Sequence, residues 1–171
     1  MIRTLTILIV SLFTCSQGIT QNCNCKGLVD WNYHDPILLF EIKDGTIIDT
    51  LTNDSANENS LVFNIIEDEN EYFKVEIGLS QDTVWKKGWI KKADYLGTYA
   101  RNYSIDKLTL YSKPNLKSKP KSIIKEYYEG LYEIMKCNDE WVEVKVTING
   151  KEYSGWLERK MQCPNPYTTC N

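Results

Sequence analysis

Residues 62–77 read VFNIIEDENEYFKVEI, and they align without a gap on residues 131–146, LYEIMKCNDEWVEVKV. The two stretches lie 69 residues apart, and apolar positions such as Ile65 recur in the second stretch, here as Ile134. Similarity at a fixed offset is typical of a repeated structural unit. The sequence therefore predicts two copies of one small domain.

Two shorter blocks extend the repeat on either side. Residues 88–90 (GWI) correspond to residues 155–157 (GWL) at an offset of 67, and residues 39–40 (LF) correspond to 110–111 (LY) at an offset of 71. The three blocks keep the same order in both copies. Because no Pro-, Gly- or Ser-rich linker separates the copies, we expect them to pack against each other.

The repeated stretches alternate apolar and polar residues. Residues 73–77 (FKVEI) and 142–146 (VEVKV) show the period of two that is typical of half-buried strands. Residues 68–70 and 138–139 are short Asn/Asp segments between such runs, which predicts hairpin turns. Residues 148–151 (INGK) place Asn-Gly where a type I′ turn requires it. No long stretch keeps a helical period, so we expect an all-β fold.

The second copy carries three short motifs: LTLYSKPN at 108–115, EWVEV at 140–144 and GWL at 155–157. Together they resemble the bacterial SH3-like domain, whose first, central and closing strands carry comparable motifs. The motif positions that correspond to this family are Trp89, Trp141, Gly155 and Trp156. The first copy is a weaker match, because Tyr72 stands at the position of the central Trp.

The resemblance implies a specific architecture and a class of function. It implies two small, strongly bent SH3-like β-barrels in tandem, the first at 35–97 and the second at 105–160. Domains of this family are recognition modules, often joined to cell-wall hydrolases. The remaining segments are an N-terminal segment at 21–34 and a Cys-containing tail at 161–171.

The first 20 residues have the pattern of a cleaved signal peptide. A positive start at residues 1–3 precedes an apolar run of about nine residues and a small, polar end. Such a run is shorter than the roughly 20 residues of a membrane-spanning helix. Cleavage after Thr20 is preferred, with Gly18 as the alternative. We expect an exported protein, periplasmic or secreted; lipid anchoring at Cys15 is less favoured, because Phe13 and Thr14 fit such a site poorly.

Export makes the remaining cysteines disulfide candidates, since oxidising compartments favour disulfides. These candidates are Cys23, Cys25, Cys137, Cys163 and Cys170. Five cysteines allow fifteen arrangements of two bridges and one thiol, and the sequence leaves them open. A local Cys163–Cys170 bridge is favoured across its turn-rich loop. The second bridge would tie the Cys23-Asn24-Cys25 motif to Cys137.

Composition argues against several function classes. The chain has 171 residues and a formal net charge of -3, so no overall positive field exists to hold nucleic acid. The single His34 stands without a nucleophile motif, which argues against catalysis. The carboxylate pairs 67–68 and 139–140 are interpreted as solvated turn residues. One C-x-C and one His do not supply the ligand pairs of a zinc site, so we expect no metal or other cofactor.

Aromatic residues are the best candidates for ligand contact. Trp89 and Trp156 occupy equivalent repeat positions and are expected to pack in the core. Aromatics that the copies do not share fit a binding surface better, because amphipathic rings provide contact area at low entropy cost. These candidates are Trp85, Tyr127, Tyr128 and Tyr153, with Trp31 as a further unshared aromatic.

The sequence thus favours a non-catalytic, exported binding module that recognises a peptide or a cell-wall component such as peptidoglycan. The alternative is an inhibitor or immunity-type protein that binds another exported protein. Lys86, Lys87, Lys91 and Lys92 form a local basic patch, which is interpreted as protection of a strand edge. The oligomeric state is left open.

Overall fold

The computed structural model describes residues 21–167, and in this part of the chain the fold is all-β, as predicted. Thirteen strands form one large antiparallel sheet that does not close on itself. The strands are β1 (Gln21–Val29), β2 (Ile37–Phe40), β3 (Ile47–Leu51), β4 (Leu61–Glu69), β5 (Tyr72–Leu79), β6 (Lys86–Lys91), β7 (Leu96–Ala100), β8 (Leu108–Tyr111), β9 (Pro120–Ile124), β10 (Tyr132–Asn138), β11 (Trp141–Ile148), β12 (Lys151–Leu157) and β13 (Gln162–Cys163). The predicted signal peptide lies outside the described residues, as does Cys170.

The strand order is palindromic. From one end to the other it runs β3-β2-β6-β5-β4-β1-β7-β10-β11-β12-β8-β9, with β13 paired to β7. Replacing each strand by its partner in the sequence repeat reverses the order: β2 corresponds to β8, β3 to β9, and β4, β5 and β6 to β10, β11 and β12. The first repeat is therefore β1–β6, the second is β7–β12, and an approximate two-fold axis passes between β1 and β7.

The segment at 21–34 contributes a central strand to this sheet. Strand β1 pairs with β4 of its own repeat and, through Leu28↔Gly97 and Val29↔Leu96, with β7 of the other repeat. A single cluster of buried side chains extends through both repeats. The two copies are thus parts of one sheet and one core.

The hairpin turns follow the predicted chemistry. Asn149 and Gly150 have φ of 50° and 77°, so the INGK segment forms a turn with two left-handed residues between β11 and β12, as type I′ requires. Asn70 and Asp139 have φ of 48° and 54° in the two-residue turns that follow β4 and β10. Short Asn/Asp segments therefore place the same turn in both repeats.

The Gly-Trp motif marks a close crossing of two strands in each repeat. Trp89 on β6 pairs with Phe40 on β2, and Trp156 on β12 pairs with Tyr111 on β8. Both tryptophans are buried, as predicted. The glycine before each tryptophan admits the neighbouring strand: a Cβ atom on Gly155 would lie 2.8 Å from the carbonyl oxygen of Tyr111.

Each repeat also curls so that its third strand approaches its last strand. In the first repeat, Lys86 at the start of β6 forms an ion pair with Asp49 on β3. The Ser122 hydroxyl on β9 donates a hydrogen bond to the carbonyl oxygen of Ser154 on β12 at 2.8 Å in the second repeat. The same curvature thus recurs with different side chains.

Asp68 connects the two repeats through its carboxylate. Its Oδ2 accepts a hydrogen bond from the backbone N–H of Cys137 on β10 at 2.7 Å, and its Oδ1 lies 2.5 Å from Nζ of Lys92. The side chains of Asp68 and Lys92 are only 7% and 15% exposed. Residues 67–68 lie in strand β4, so their interpretation as solvated turn residues was wrong: Asp68 is buried where the repeats meet.

We expect Gly155→Ala to destabilise the fold by about 2–5 kcal/mol, because the new methyl group meets backbone at a positive φ. Gly150→Ala is the matched control: its Cβ meets nothing within 4 Å, so only the conformational cost of about 1 kcal/mol remains. Urea unfolding monitored by circular dichroism measures both. Equal losses of unfolding free energy in the two variants would contradict the close approach of β8 to Gly155.

Asp68→Ala is expected to cost about 3–5 kcal/mol, because it leaves the Lys92 ammonium buried without its partner and the Cys137 N–H without an acceptor. The control is Glu76→Ala, which removes an exposed ion pair with Lys87 at 3.9 Å and should cost less than about 1 kcal/mol. The same unfolding measurement applies. A loss for Asp68→Ala no larger than that of the control would refute the anchoring role.

Candidate functional site

An aromatic cleft of about 280 Å³ lies beside the central strands. Its floor is apolar, because Leu28 and Val29 of β1 are each only 1% exposed. Aromatic rings and polar groups surround this floor. We use the name aromatic cleft for the site lined by Leu28, Val29, Trp31, Glu58, Ser60, Tyr99, Pro166 and Tyr167.

Trp31 reaches the cleft because the chain turns sharply after β1. The Asp30 N–H donates to the carbonyl oxygen of Tyr95 at 2.8 Å, and Oδ1 of Asp30 accepts from the N–H of Asn32 at 2.8 Å. The Asp30 carbonyl oxygen also accepts from the N–H of Tyr33 at 3.0 Å. These hydrogen bonds fix the backbone on both sides of Trp31. Asp side chains commonly stabilise turns in this way.

Tyr99 enters the cleft from β7. Its neighbours in the strand, Thr98 and Ala100, are buried, whereas Tyr99 is half-buried on the opposite face of the alternation. Burial, followed by the charge of Asp30, raises the pKa of Tyr99. The Tyr99 phenol therefore keeps its hydrogen-bond donor to a higher pH than an exposed tyrosine does.

Tyr167 reaches the cleft from the C-terminal tail, which follows the second repeat and contains β13. Its hydroxyl lies 2.6 Å from Oγ of Ser80 and 3.2 Å from both Nε2 of Gln81 and the carbonyl oxygen of Glu58. These three partners belong to the first repeat. The tail thus crosses the junction of the repeats and forms one wall of the cleft.

The aromatic cleft brings apolar, aromatic and hydrogen-bonding groups together. Trp31 and Tyr99 present half-buried rings over an apolar floor, and Glu58 and Ser60 add a carboxylate and a hydroxyl. Such a set suits an extended ligand with apolar groups and a few polar or cationic ones. His34 is exposed and is not among the residues that line this cleft.

A second cavity of about 470 Å³, the junction cleft, lies where the β4–β5 turn approaches strands β10–β12. Its charged side chains neutralise one another: Glu143 lies 3.3 Å from Lys121 and 3.2 Å from Lys136, and Lys145 lies 2.9 Å from Glu133. The hydrogen bond to Glu133 is the main cause that raises the pKa of Lys145. These lysines are engaged within the protein, so the junction cleft is a weaker candidate.

The four predicted ligand-contact residues line neither cleft. Trp85 covers Gly78 in the first repeat, where a Cβ on that glycine would lie 2.7 Å from the indole. Tyr127 packs edge-on against Tyr103, with 5.2 Å between ring centroids.

Tyr128 and Tyr153 lie in the second repeat, half-buried against its core. The Tyr128 ring meets Tyr132 edge-on at 5.7 Å, and Nζ of Lys151 lies 4.7 Å from the Tyr153 ring centroid. The structure thus distributes the four aromatics over both repeats instead of assembling one site from them.

Sequence reasoning missed Tyr99 and Tyr167 as residues of the cleft. Tyr99 lies in the stretch predicted to join the two copies, and Tyr167 lies in the Cys-containing tail. Trp31 was named among the unshared aromatics. Periodicity within one repeat carries no signal for a cleft formed by a central strand and a distant tail.

Three lysines of the basic patch take part in ion pairs. Lys86 pairs with Asp49, Lys87 with Glu76 and Lys92 with Asp68. Among residues 21–167 no group of His, Cys, Asp and Glu side chains is arranged to hold a metal ion. The same part of the chain contains no helix with the length and apolarity needed to cross a membrane.

Among the described residues no two cysteines are bonded to each other, so the predicted second bridge, from the Cys23-Asn24-Cys25 motif to Cys137, is not formed in this structure. Cys163 is buried in β13, and the favoured Cys163–Cys170 bridge involves a residue outside the described part. Cys23, Cys25 and Cys137 lie together, as expected from the proposed tie between the N-terminal motif and Cys137.

Comparison of the chain with protein-family models, with curated proteins and with solved structures gave no match.

Proposed function

We propose that this protein is an exported, non-catalytic binding module that recognises a peptide or a cell-wall component such as peptidoglycan. The proposal combines the signal-peptide pattern at residues 1–20 with the aromatic cleft. The proposal assigns no catalytic role to His34, because this residue is exposed and does not line the aromatic cleft.

The finer architecture we propose is a pair of SH3-like barrels that share their central strands. Three features support it: the matching order of strands β2–β6 and β8–β12, the close crossing at the Gly-Trp motif, and the contact of the third strand of each repeat with its last strand. Small, strongly bent sheets of this kind leave their loops to form binding surfaces.

The observation that carries the proposal is the composition of the aromatic cleft. Trp31 and Tyr99 offer rigid rings that lose little entropy on binding. Glu58 at the rim provides an acceptor for a ligand ammonium group. A stem peptide of peptidoglycan, which combines short apolar side chains with carboxylates and an amine, has the chemistry to meet these groups.

We expect Trp31→Ala to weaken co-sedimentation with purified peptidoglycan sacculi by at least about tenfold, because a central aromatic anchor carries much of the binding energy. Trp85→Ala is the matched control, since it removes the same side chain outside the cleft, and it should bind like the unchanged protein. Binding isotherms at low salt give the comparison.

Three other outcomes are informative. No binding of the unchanged protein to sacculi or to their soluble peptides would reject the proposed ligand class. Loss of binding only in Trp85→Ala would move the site to the sequence-predicted aromatics. Equal binding by all three proteins would exclude both surfaces.

A different surface supports the second proposed function, which is binding of another exported protein as an inhibitor or immunity-type protein. The hairpin of β2 and β3 exposes four large apolar side chains: Leu38 is 39% exposed, Ile42 65%, and Ile47 and Ile48 49% each. Exposed apolar groups concentrated on one hairpin are typical of protein interaction surfaces.

We expect Ile48→Lys to abolish capture of an exported protein from a cell-envelope extract if this hairpin is the interface, because it places an ammonium group in an apolar contact. Ile123→Lys on the equivalent strand β9 is the control, since Ile123 is similarly exposed at 41%. Affinity capture with quantitative mass spectrometry measures both. A partner retained equally by the two variants would exclude this hairpin.

A further inference from the structure

Three cysteines from distant parts of the chain meet at the junction of the repeats. The Cys137 side chain on β10 is in hydrogen-bond contact with those of both Cys23 and Cys25 on β1. Cys25 and Cys137 are buried, at 1% and 0% exposure, whereas Cys23 is partly exposed. The cluster therefore has one thiol that faces solvent and two that do not.

The backbone holds this cluster in place. The chain at Cys23 runs parallel to Asp139, with the Asn24 N–H donating to the Asp139 carbonyl oxygen at 2.7 Å and the Asp139 N–H donating to the Asn22 carbonyl oxygen at 3.0 Å. An irregularity in the β1–β4 register between Asn22 and Cys25 allows this second pairing. At the C-x-C motif, strand β1 thus bulges away from β4 and pairs with the β10–β11 turn.

The three thiols have different surroundings. The Cys25 thiol lies 3.3 Å from the carbonyl oxygens of both Asp139 and Trp141, whereas the Cys137 thiol makes one longer contact, 3.6 Å to the carbonyl oxygen of Asp139. Burial is the main cause that raises the pKa of Cys137, followed by its contacts with Cys23 and Cys25. A buried thiol with a raised pKa is a poor first nucleophile, and the partly exposed Cys23 is the accessible one.

We propose that this cluster is an oxidisable site in which Cys23 and Cys137 form a disulfide across the repeat junction while Cys25 remains a thiol. The oxidant is a small-molecule disulfide. The Cys23 thiolate attacks one of its sulfurs, forming a mixed disulfide and releasing one thiolate. The Cys137 thiol then loses its proton and displaces the second thiolate, so that one external disulfide is reduced to two thiols.

This site is independent of the proposed ligand and adds a covalent link between the repeats. The bond would join residues 114 positions apart in the chain, and long loops closed by a disulfide restrict the unfolded chain strongly. It would also hold β1, whose C-terminal end forms the floor of the aromatic cleft.

Peptide mapping tests the pairing directly. The reduced protein is incubated at pH 8 with oxidised glutathione, capped with iodoacetamide and digested with trypsin. We expect the peptide of residues 137–145 to be linked to the peptide that ends at Lys26, with fragment ions that place the bond at Cys23 and the carbamidomethyl group at Cys25. A bond at Cys25, or no linked peptide, would overturn the proposal.

Variants provide a second readout. Cys25→Ser should keep the linked peptide, and Cys23→Ser should lose it. Oxidation should raise the Tm of the unchanged protein by at least about 5 °C more than it raises the Tm of Cys23→Ser, in which a Cys163–Cys170 bridge can still form. An equal rise of the Tm in the unchanged protein and in Cys23→Ser, or a linked peptide that persists in Cys23→Ser, would contradict the assignment even where Cys25→Ser fails to fold.

Discussion

The pairing of β1 with β7 is the constraint on which the rest of the structure depends. Only two residue pairs, Leu28↔Gly97 and Val29↔Leu96, join these strands, yet they convert two small half-sheets into one sheet with one core. A unit of 60 to 70 residues buries too little apolar surface to be robust alone. Around this short central pairing the protein places its other contacts between repeats: the Asp68 carboxylate, the cysteine cluster and the tail.

The approximate two-fold axis explains why these contacts differ from one repeat to the other. Asp68 and Cys137 occupy equivalent positions, 69 residues apart, and near an axis such positions face each other. The Asp68 carboxylate in the first repeat accepts a hydrogen bond from the backbone N–H of Cys137 in the second. Two carboxylates would repel each other. The difference between Asp68 and Cys137 at these equivalent positions therefore avoids a repulsion that two aspartates would produce.

The same asymmetry accounts for the aromatic cleft. Trp31 follows a central strand of the first repeat, Tyr99 belongs to the central strand of the second, and Tyr167 comes from a tail that only the second repeat carries. A repeat pattern can therefore predict the strands that position such a cleft, but not the side chains that line it. The aromatics buried at repeated positions, Trp89 and Trp156, serve the crossing of strands within each repeat.

The sequence by itself determined the all-β class, the repeat and its turns, because alternation and Asn/Asp/Gly turn chemistry are local properties of the chain. It also indicated that the N-terminal C-x-C motif belongs near Cys137. Only the tertiary structure decided that residues 21–29 form a central strand, that Asp68 is buried and that Trp31, Tyr99 and Tyr167 share a cleft. The cleft alone joins residues as far apart in the chain as Leu28 and Tyr167, and no local pattern encodes which distant segments meet.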